Sequence, residues 1–160
     1  RMEGKLASYI HNGGSIGVLV KMDTELDADA VAAIGKDVAM QSAALNAPYL
    51  CRADVPAEVV EKEKEIMLAQ MAEDPKMASK PEKVKEGIIN GKINKYYSEN
   101  CLLEQSFVKD DKLSVQGYVD AEAKNLGGTI AVTDVVRYER GEGVEKKEDN
   151  LADEVAKMIK

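Results

Sequence analysis

One stretch near the start of the chain, residues 6–23, constrains the fold most strongly because it predicts a β-hairpin. Two runs with the two-residue period of strands, LASYI and SIGVLVK, flank the turn Asn12-Gly13-Gly14. Asparagine and glycine reach positive φ at low cost, and such a pair between two β-rich runs is the strongest local hairpin signal. Both faces of the second run are apolar, so we expect helices to cover at least one face of the hairpin.

A third strand is expected because a two-stranded hairpin alone is only marginally stable in water. The best candidate is TIAVTDVVRYE at residues 129–139, far along the chain. The sequence therefore predicts an α+β fold in which a small antiparallel sheet of about three strands, in β-β-αn-β order, is covered by helices. In an unbroken register, Val132, Val136 and Tyr138 share one face of the last strand.

The residues between these strands carry helical patterns. Residues 27–45 predict a helix whose apolar face is formed by Val31, Ile34, Val38 and Leu45. Asp54-Val55-Pro56 predicts the start of a second helix, with Asp54 as its N-cap, that runs to about residue 73. Ser79 and Glu82 have capping-box spacing, which predicts a third helix that continues to about residue 100.

The second and third helices have narrow apolar seams and a short charged connection, which predicts a projecting antiparallel helical hairpin over residues 54–100. An alternative is that seam residues pair with a second copy of the chain; these residues are Val59, Ile66, Ile88 and Ile93. Gly87 and Gly91 lie four residues apart on one helix face. They either allow a partner helix to approach closely or only weaken the helix, and the sequence leaves both readings open.

The remaining residues complete a three-part organisation. Residues 100–111 predict a loop that carries Phe107, and residues 114–126 predict a helix that ends at Gly127-Gly128. Residues 151–160 predict an amphipathic helix with the stripe Leu151, Val155, Met158 and Ile159. We therefore expect an α+β core at residues 1–53 and 101–140, the helical hairpin at 54–100, and a C-terminal module at 141–160.

Composition excludes several classes of function. The net charge is −7, with 29 acidic against 22 basic residues, which disfavours nucleic acid as a partner because phosphate binding needs clustered lysine and arginine. No apolar run approaches the ~18 residues of a membrane span, and no secretory signal is visible. Cys51 and Cys101 fit reduced thiols in a cytoplasmic protein better than a disulfide. Because the chain begins with Arg1, we expect it to be part of a longer protein.

His11 is the only histidine and lies at the predicted hairpin turn. A general base would need an orienting carboxylate and a nucleophile nearby, and a metal site would need further ligands. His11 is therefore either an ordinary polar turn residue or a protruding contact residue. The glycine run at residues 13–17 leads into a strand rather than a helix, which excludes a phosphate loop. We predict no active site, no metal and no cofactor, as in an interaction protein.

Several stretches, taken in order, match one family over nearly the whole chain. They are SYIHNGGSIGVLV at residues 8–20, KDVAMQSAALNAPYL at 36–50, DVPAEVVEKE at 54–63, the run from 80 to 110, and RYERGEGVEKKEDNLADEV at 137–155. With these the chain resembles the C-terminal portion of bacterial elongation factor Ts, the guanine nucleotide exchange factor for elongation factor Tu. The resemblance implies that the helical hairpin is a projecting coiled coil. Gln41 stands where relatives often carry histidine.

The resemblance also implies a partner and its contact residues. His11 matches the histidine that lies at the partner interface in the family, and the last helix matches the module that packs on the nucleotide domain of elongation factor Tu. We therefore predict partner contacts at His11, Asn12, Ile16, Leu151, Val155 and Met158.

The 160 residues contain no counterpart of the family's N-terminal ubiquitin-associated-like domain or of its first core subdomain, which carries a Thr-Asp-Phe-Val motif. In the family, that motif resembles a wedge that disturbs the magnesium and phosphate site. We therefore expect this chain mainly to supply docking surface for nucleotide exchange, without bond chemistry of its own. The rival class is a structural or dimerisation module that uses the helical hairpin, and an enzyme is a distant third.

Overall fold

The computed structural model describes residues 4–143 of the chain. Its strands and helices are, in chain order, β1 (Lys5–His11), β2 (Ile16–Asp23), α1 (Ala28–Ala44), α2 (Ala57–Glu73), α3 (Pro75–Ala78), α4 (Glu82–Asn100), β3 (Ser106–Phe107), β4 (Asp110–Ser114), α5 (Val115–Asn125) and β5 (Ala131–Glu139). Short 3-10 turns at Asn12–Gly14, Arg52–Asp54 and Leu102–Glu104 connect some of them. This mixture of helices and a small antiparallel sheet confirms the predicted α+β class.

The main sheet joins the two ends of the described chain. Its three strands lie in the order β1-β2-β5, and both pairs are antiparallel. The predicted hairpin is confirmed, and so is the third strand, which pairs with β2 rather than with β1. Asn12, Gly13 and Gly14 have φ of +50°, +63° and +88° in the connecting turn, a left-handed region that asparagine and glycine tolerate best.

A β-bulge in β5 overturns the predicted face of Val132. Asp134 is opposite Lys21 but Val132 is opposite Met22, so Thr133 is an extra residue that has no partner in the register. One extra residue moves the following side chains to the other face of the sheet. Val132 therefore lies on the buried face, while Val136 and Tyr138 lie on the opposite face of the sheet.

Helix α1 covers one face of the sheet, which we call the inner face. The largest fully buried apolar side chains of the main core come from this contact and from α5, namely Val18, Val20, Met22, Val31, Val38, Val115 and Val119. Gly35 allows the close approach, because a Cβ built there would lie 2.5 Å from Ala7 Cβ and 2.6 Å from Met22 Cε. The prediction that Leu45 belongs to the apolar face is wrong, since α1 ends at Ala44 and Leu45 is 45% exposed.

A buried amide side chain, Gln41, fastens α1 to the segment that follows α4. Its Nε2 donates to Gln105 Oε1 at 3.3 Å and to the Ser106 carbonyl at 3.1 Å. Its Oε1 accepts a hydrogen bond from the Val108 N–H at 2.9 Å. Gln41 is completely buried, and buried amides need such partners to offset the loss of water.

Helices α2 and α4 form the predicted antiparallel hairpin. Met71, Ile89 and Ile93 are its buried centre and constitute a cluster separate from the main core. Two capping predictions are wrong. Asp54 accepts from Cys51 at the preceding 3-10 turn, and Pro56 stands at the N-cap of α2. Pro81 stands at the N-cap of α4, and Ser79 is instead the C-cap of α3, the short helix that lies between the two long ones.

The predicted loop at residues 100–111 is instead partly ordered as the short hairpin β3-β4. Phe107 is buried and stacks on Tyr118 of α5, with ring centroids 4.2 Å apart. Ser114 caps α5 through its side chain, and Gly127, with φ of +75°, ends that helix as predicted. The segment gave no sequence signal of a hairpin because its strands are short and polar.

The predicted C-terminal helix, with Leu151, Val155 and Met158, lies outside the described residues. The division into a core, a helical hairpin and a C-terminal module stays a prediction.

Replacing Gly35 with alanine tests the contact of α1 with the sheet. We expect Gly35→Ala to lower the free energy of unfolding by about 1–3 kcal/mol, because the new methyl group collides with Ala7 Cβ, which is fixed to the β1 backbone, and with the Met22 side chain. Chemical denaturation measures this. Gly91→Ala in α4 is the matched control: a Cβ there meets nothing within 4 Å, so the gain in helix propensity should stabilise the protein by up to ~1 kcal/mol. Equal effects from both variants would contradict the close packing.

Replacing Gln41 with methionine tests the buried amide network. The change keeps the length of the side chain but leaves the Val108 N–H and the Ser106 carbonyl without their partner, so we expect a loss of about 2–4 kcal/mol in the free energy of unfolding. Gln116→Met is the control, since Gln116 makes only an exposed hydrogen bond to Asp120. A loss below about 0.5 kcal/mol in Gln41→Met, the range of surface changes, would contradict the network's importance.

Candidate protein-binding surface

The β1-β2 turn displays three of the predicted contact residues at one end of the sheet. His11 and Ile16 are cross-strand partners, and Asn12 follows directly in the turn. His11 and Asn12 are exposed, whereas Ile16 is partly buried and packs against the main core. Three turn residues in left-handed conformations hold this end of the hairpin in a tight bend. The turn is thus a protruding polar tip on a rigid scaffold, the usual location of binding residues.

Tyr9 lies beside His11 and was missed by the sequence analysis. Its hydroxyl is 3.1 Å from His11 Nδ1, and the two ring centroids are 5.8 Å apart. Tyr9 is partly buried against the main core, so the imidazole rests on a fixed neighbour. The signal was present in the sequence, since residues two apart in a strand share a face.

The face of the sheet opposite α1, which we call the outer face, is apolar and uncovered among residues 4–143. Ile10 is 72% exposed, Tyr138 64% and Leu6 47%. Leu19 and Val136 are directly opposite each other on β2 and β5 and join these side chains into one patch. Exposed apolar patches of this kind mark surfaces that bind other proteins. The sequence does not predict the patch, because the packing of α1 decides which face of the sheet stays open and no local pattern shows that packing.

The base of the helical hairpin is fixed to the core by a cluster around Arg52. Its guanidinium forms a bidentate ion pair with Glu104, at 2.6 and 2.7 Å, and lies 4.8 Å from the centre of the Tyr97 ring. The hydrogen bonds to Glu104 raise the pKa of Arg52. A rigid guanidinium fork suits such planar pairing. The cluster therefore joins the turn before α2 to the end of α4 and to the turn that follows α4.

Both cysteines are free in the structure, and the surroundings of Cys101 disfavour reaction. Cys101 is fully buried, and burial raises its pKa to about 11. Its thiol is therefore protonated at neutral pH, while only a thiolate is a good nucleophile or metal ligand. Among residues 4–143, no group of three or more histidine, cysteine or acidic side chains is placed to hold a metal ion.

Two polar contacts away from the β1-β2 turn join elements of the core to each other. The Tyr118 hydroxyl donates to Asp37 Oδ2 at 2.7 Å, and burial together with this bond raises the pKa of Tyr118. Glu25 accepts hydrogen bonds from the backbone and side chain of Thr129, and the backbone bonds lower the pKa of Glu25. These groups link α1 to α5 and the end of β2 to the start of β5, and neither lies at the hairpin turn.

Leu151, Val155 and Met158, the other predicted contact residues, lie outside the described part of the chain. Within residues 4–143, no helix is long and apolar enough to cross a membrane. An exposed turn, together with an apolar sheet face that residues 4–143 leave uncovered, is typical of a protein-binding module.

Comparison with known proteins places this module in a family. The sequence model of the family described as elongation factor TS matches residues 1–142. Elongation factor Ts of Clostridium kluyveri (strain ATCC 8527) is 44% identical over 157 residues, which is 98% of this chain and 50% of that protein. Elongation factor Ts of Clostridium botulinum (strain ATCC 19397 / Type A) is 47% identical over the same shares.

The chain belongs to the elongation factor Ts family, as the resemblance of its sequence predicted. It spans about half the length of the curated relatives that it matches.

Proposed function

We propose that this chain binds elongation factor Tu and contributes to the release of GDP from it, as part of a guanine nucleotide exchange factor. Its own share is chiefly docking surface, provided by the hairpin turn, the sheet and the C-terminal module. No bond is made or broken in this role, so the chain is not an enzyme. The work belongs to translation in the cytoplasm.

The observation that carries the proposal is the coincidence of family membership with an exposed turn. The matched residues include the whole β1-β2 turn with His11 and Asn12, the residues for which the family resemblance implies a partner contact. Supporting this, the turn is exposed and its backbone is held by β1 and β2. A preformed contact surface binds without a large loss of conformational entropy.

Exchange itself follows from negative coupling between two ligands of one protein. When the factor binds, the nucleotide binds more weakly, and by thermodynamic necessity the nucleotide weakens the factor by the same ratio. Release is faster only if some contacts form with the nucleotide-free shape alone. In the family those contacts are assigned to a wedge motif, Thr-Asp-Phe-Val, which does not occur in these 160 residues.

We also propose that the core, the helical hairpin and residues 141–160 act as separate structural units in binding and nucleotide exchange. The separate hydrophobic clusters of the core and the hairpin support the division. The core would present the turn, and the hairpin would be a projection whose base the Arg52 cluster holds.

A second candidate is a dimerisation module, which the uncovered outer face of the sheet favours. Dimerisation through the helical hairpin has less support than dimerisation through the sheet. Of the apolar seam residues, Ile93 is buried and Ile88 is partly buried in the contact of α4 with α2. Sedimentation velocity at several concentrations separates the candidates. A dimer that forms with rising concentration, in a chain that does not bind elongation factor Tu, would favour the dimerisation module.

The 160-residue chain should bind elongation factor Tu measurably but barely accelerate GDP release. Isothermal titration calorimetry with nucleotide-free elongation factor Tu measures the binding, and stopped-flow release of a fluorescent GDP analogue measures the exchange. His11→Ala should weaken binding about 3- to 30-fold, the cost of losing one to two polar contacts.

The control variant is Lys62→Ala, on the exposed face of α2, which should bind as the unchanged chain does. Full-rate GDP release by the 160 residues would refute the division of labour. Absence of any binding would refute the proposed function itself.

The double substitution Leu151→Asp with Val155→Asp tests the predicted C-terminal helix. It should weaken binding to elongation factor Tu and leave the thermal midpoint nearly unchanged, because the stripe is predicted to face the partner rather than the core. Lys157→Glu, on the opposite side of the predicted helix, alters the net charge by the same amount and is the control. Calorimetric binding and thermal melts give the two readings. An equal loss of both quantities would mean that the stripe belongs to the core.

A further inference from the structure

In the pair Tyr9–His11, the tyrosine is packed against the core and the histidine is exposed. Both side chains project on the same side of β1, and Tyr9 Oη lies 3.1 Å from His11 Nδ1. Tyr9 packs against the main core beside Val18, its cross-strand partner, whereas His11 is exposed at the end of the strand. Tyr9 is therefore the fixed member of the pair, and it determines where the imidazole lies.

The hydrogen bond also constrains the proton of the imidazole. A neutral imidazole carries one N–H, on either Nδ1 or Nε2, and the bond made by one nitrogen selects the state of the other. A phenol is a stronger donor than acceptor, because its oxygen lone pair is delocalised into the ring. With Tyr9 as the donor, Nδ1 is the unprotonated acceptor, and the single proton of a neutral His11 resides on Nε2.

The other ring nitrogen of His11, Nε2, indicates the chemistry of the group that a partner protein would place against it. Among residues 4–143, the structure gives Nε2 no hydrogen-bond partner. We propose that Tyr9 is a positioning residue that holds His11 as the Nε2–H tautomer, so that the turn presents a hydrogen-bond donor to an acceptor oxygen on the partner protein. This inference rests on the proposed binding of elongation factor Tu and specifies which kind of partner atom His11 meets.

The tautomer is measurable without any partner. Because His11 is the only histidine, a long-range ¹H–¹⁵N spectrum of the chain at pH 8 contains a single pair of ring nitrogens, in a range where ordinary imidazole is neutral. We expect an unprotonated Nδ1 and a protonated Nε2. In Tyr9→Phe, which keeps the packed ring and the fold, the two shifts should move toward an averaged mixture. Tyr96→Phe in α4 is the control and should leave both shifts unchanged.

Binding to nucleotide-free elongation factor Tu gives the second reading. Tyr9→Phe should weaken binding about fivefold, the effect of one net hydrogen bond. In the His11→Ala background, the same change should cost nothing further, because Tyr9 acts only through His11. Tyr96→Phe should bind as the unchanged chain does.

A protonated Nδ1 in the unchanged chain, or shifts that Tyr9→Phe does not move, would overturn the tautomer assignment whether or not elongation factor Tu binds. Equal losses from Tyr9→Phe with and without His11 would overturn the positioning role. Binding that His11→Ala leaves unchanged would overturn the presentation of a donor to the partner. Failure of the unchanged chain to bind at all identifies the proposed function as the failing part, and the spectrum then decides the tautomer separately.

Discussion

The packing of α1 on the inner face of the three-stranded sheet is the contact on which the rest of the structure depends. It requires a glycine at position 35, since any side chain there would meet Ala7 and Met22. It also requires β5 to return from far along the chain and pair with β2. These long-range contacts assemble the core from apolar side chains with only one phenylalanine and no tryptophan, so close approach replaces large aromatic groups as the source of buried area.

The same packing determines what the protein can present to others. Among residues 4–143, α1 covers only the inner face, so the outer face of the sheet and the β1-β2 turn are exposed. Gln41 then fixes the segment after α4 to α1, and Arg52 fixes the base of the helical hairpin to Glu104 and Tyr97. The turn, the outer face and the hairpin are therefore held in defined positions by contacts within the scaffold.

Sequence reasoning predicted the elements with strong local signals. The β1-β2 hairpin, α1, the helical hairpin and β5 follow from periodicity and from Asn12-Gly13-Gly14. It failed where the decisive contact is distant in sequence or where one residue changes a register. The bulge at Thr133 places Val132 on the buried face, and the short, polar strands β3 and β4 give no local signal of the hairpin that they form.

The candidate site was likewise predictable only where it depends on a local sequence signal. The exposure of His11 and Asn12 follows from the turn, but Tyr9 and the outer face became visible only with the register of the sheet. The role of Gln41 has no local sequence signal, because its hydrogen bonds to residues 105–108 join segments more than 60 positions apart.

Hydrogen–deuterium exchange of the 160-residue chain, with and without nucleotide-free elongation factor Tu, tests most directly the claim that the chain acts by docking its preformed turn on a partner. The backbone amides of the turn, from His11 to Ser15, should exchange more slowly in the complex, because solvent-exposed N–H groups become covered. A complex in which these amides exchange as fast as in the free chain would contradict the claim, since the partner would then bind elsewhere.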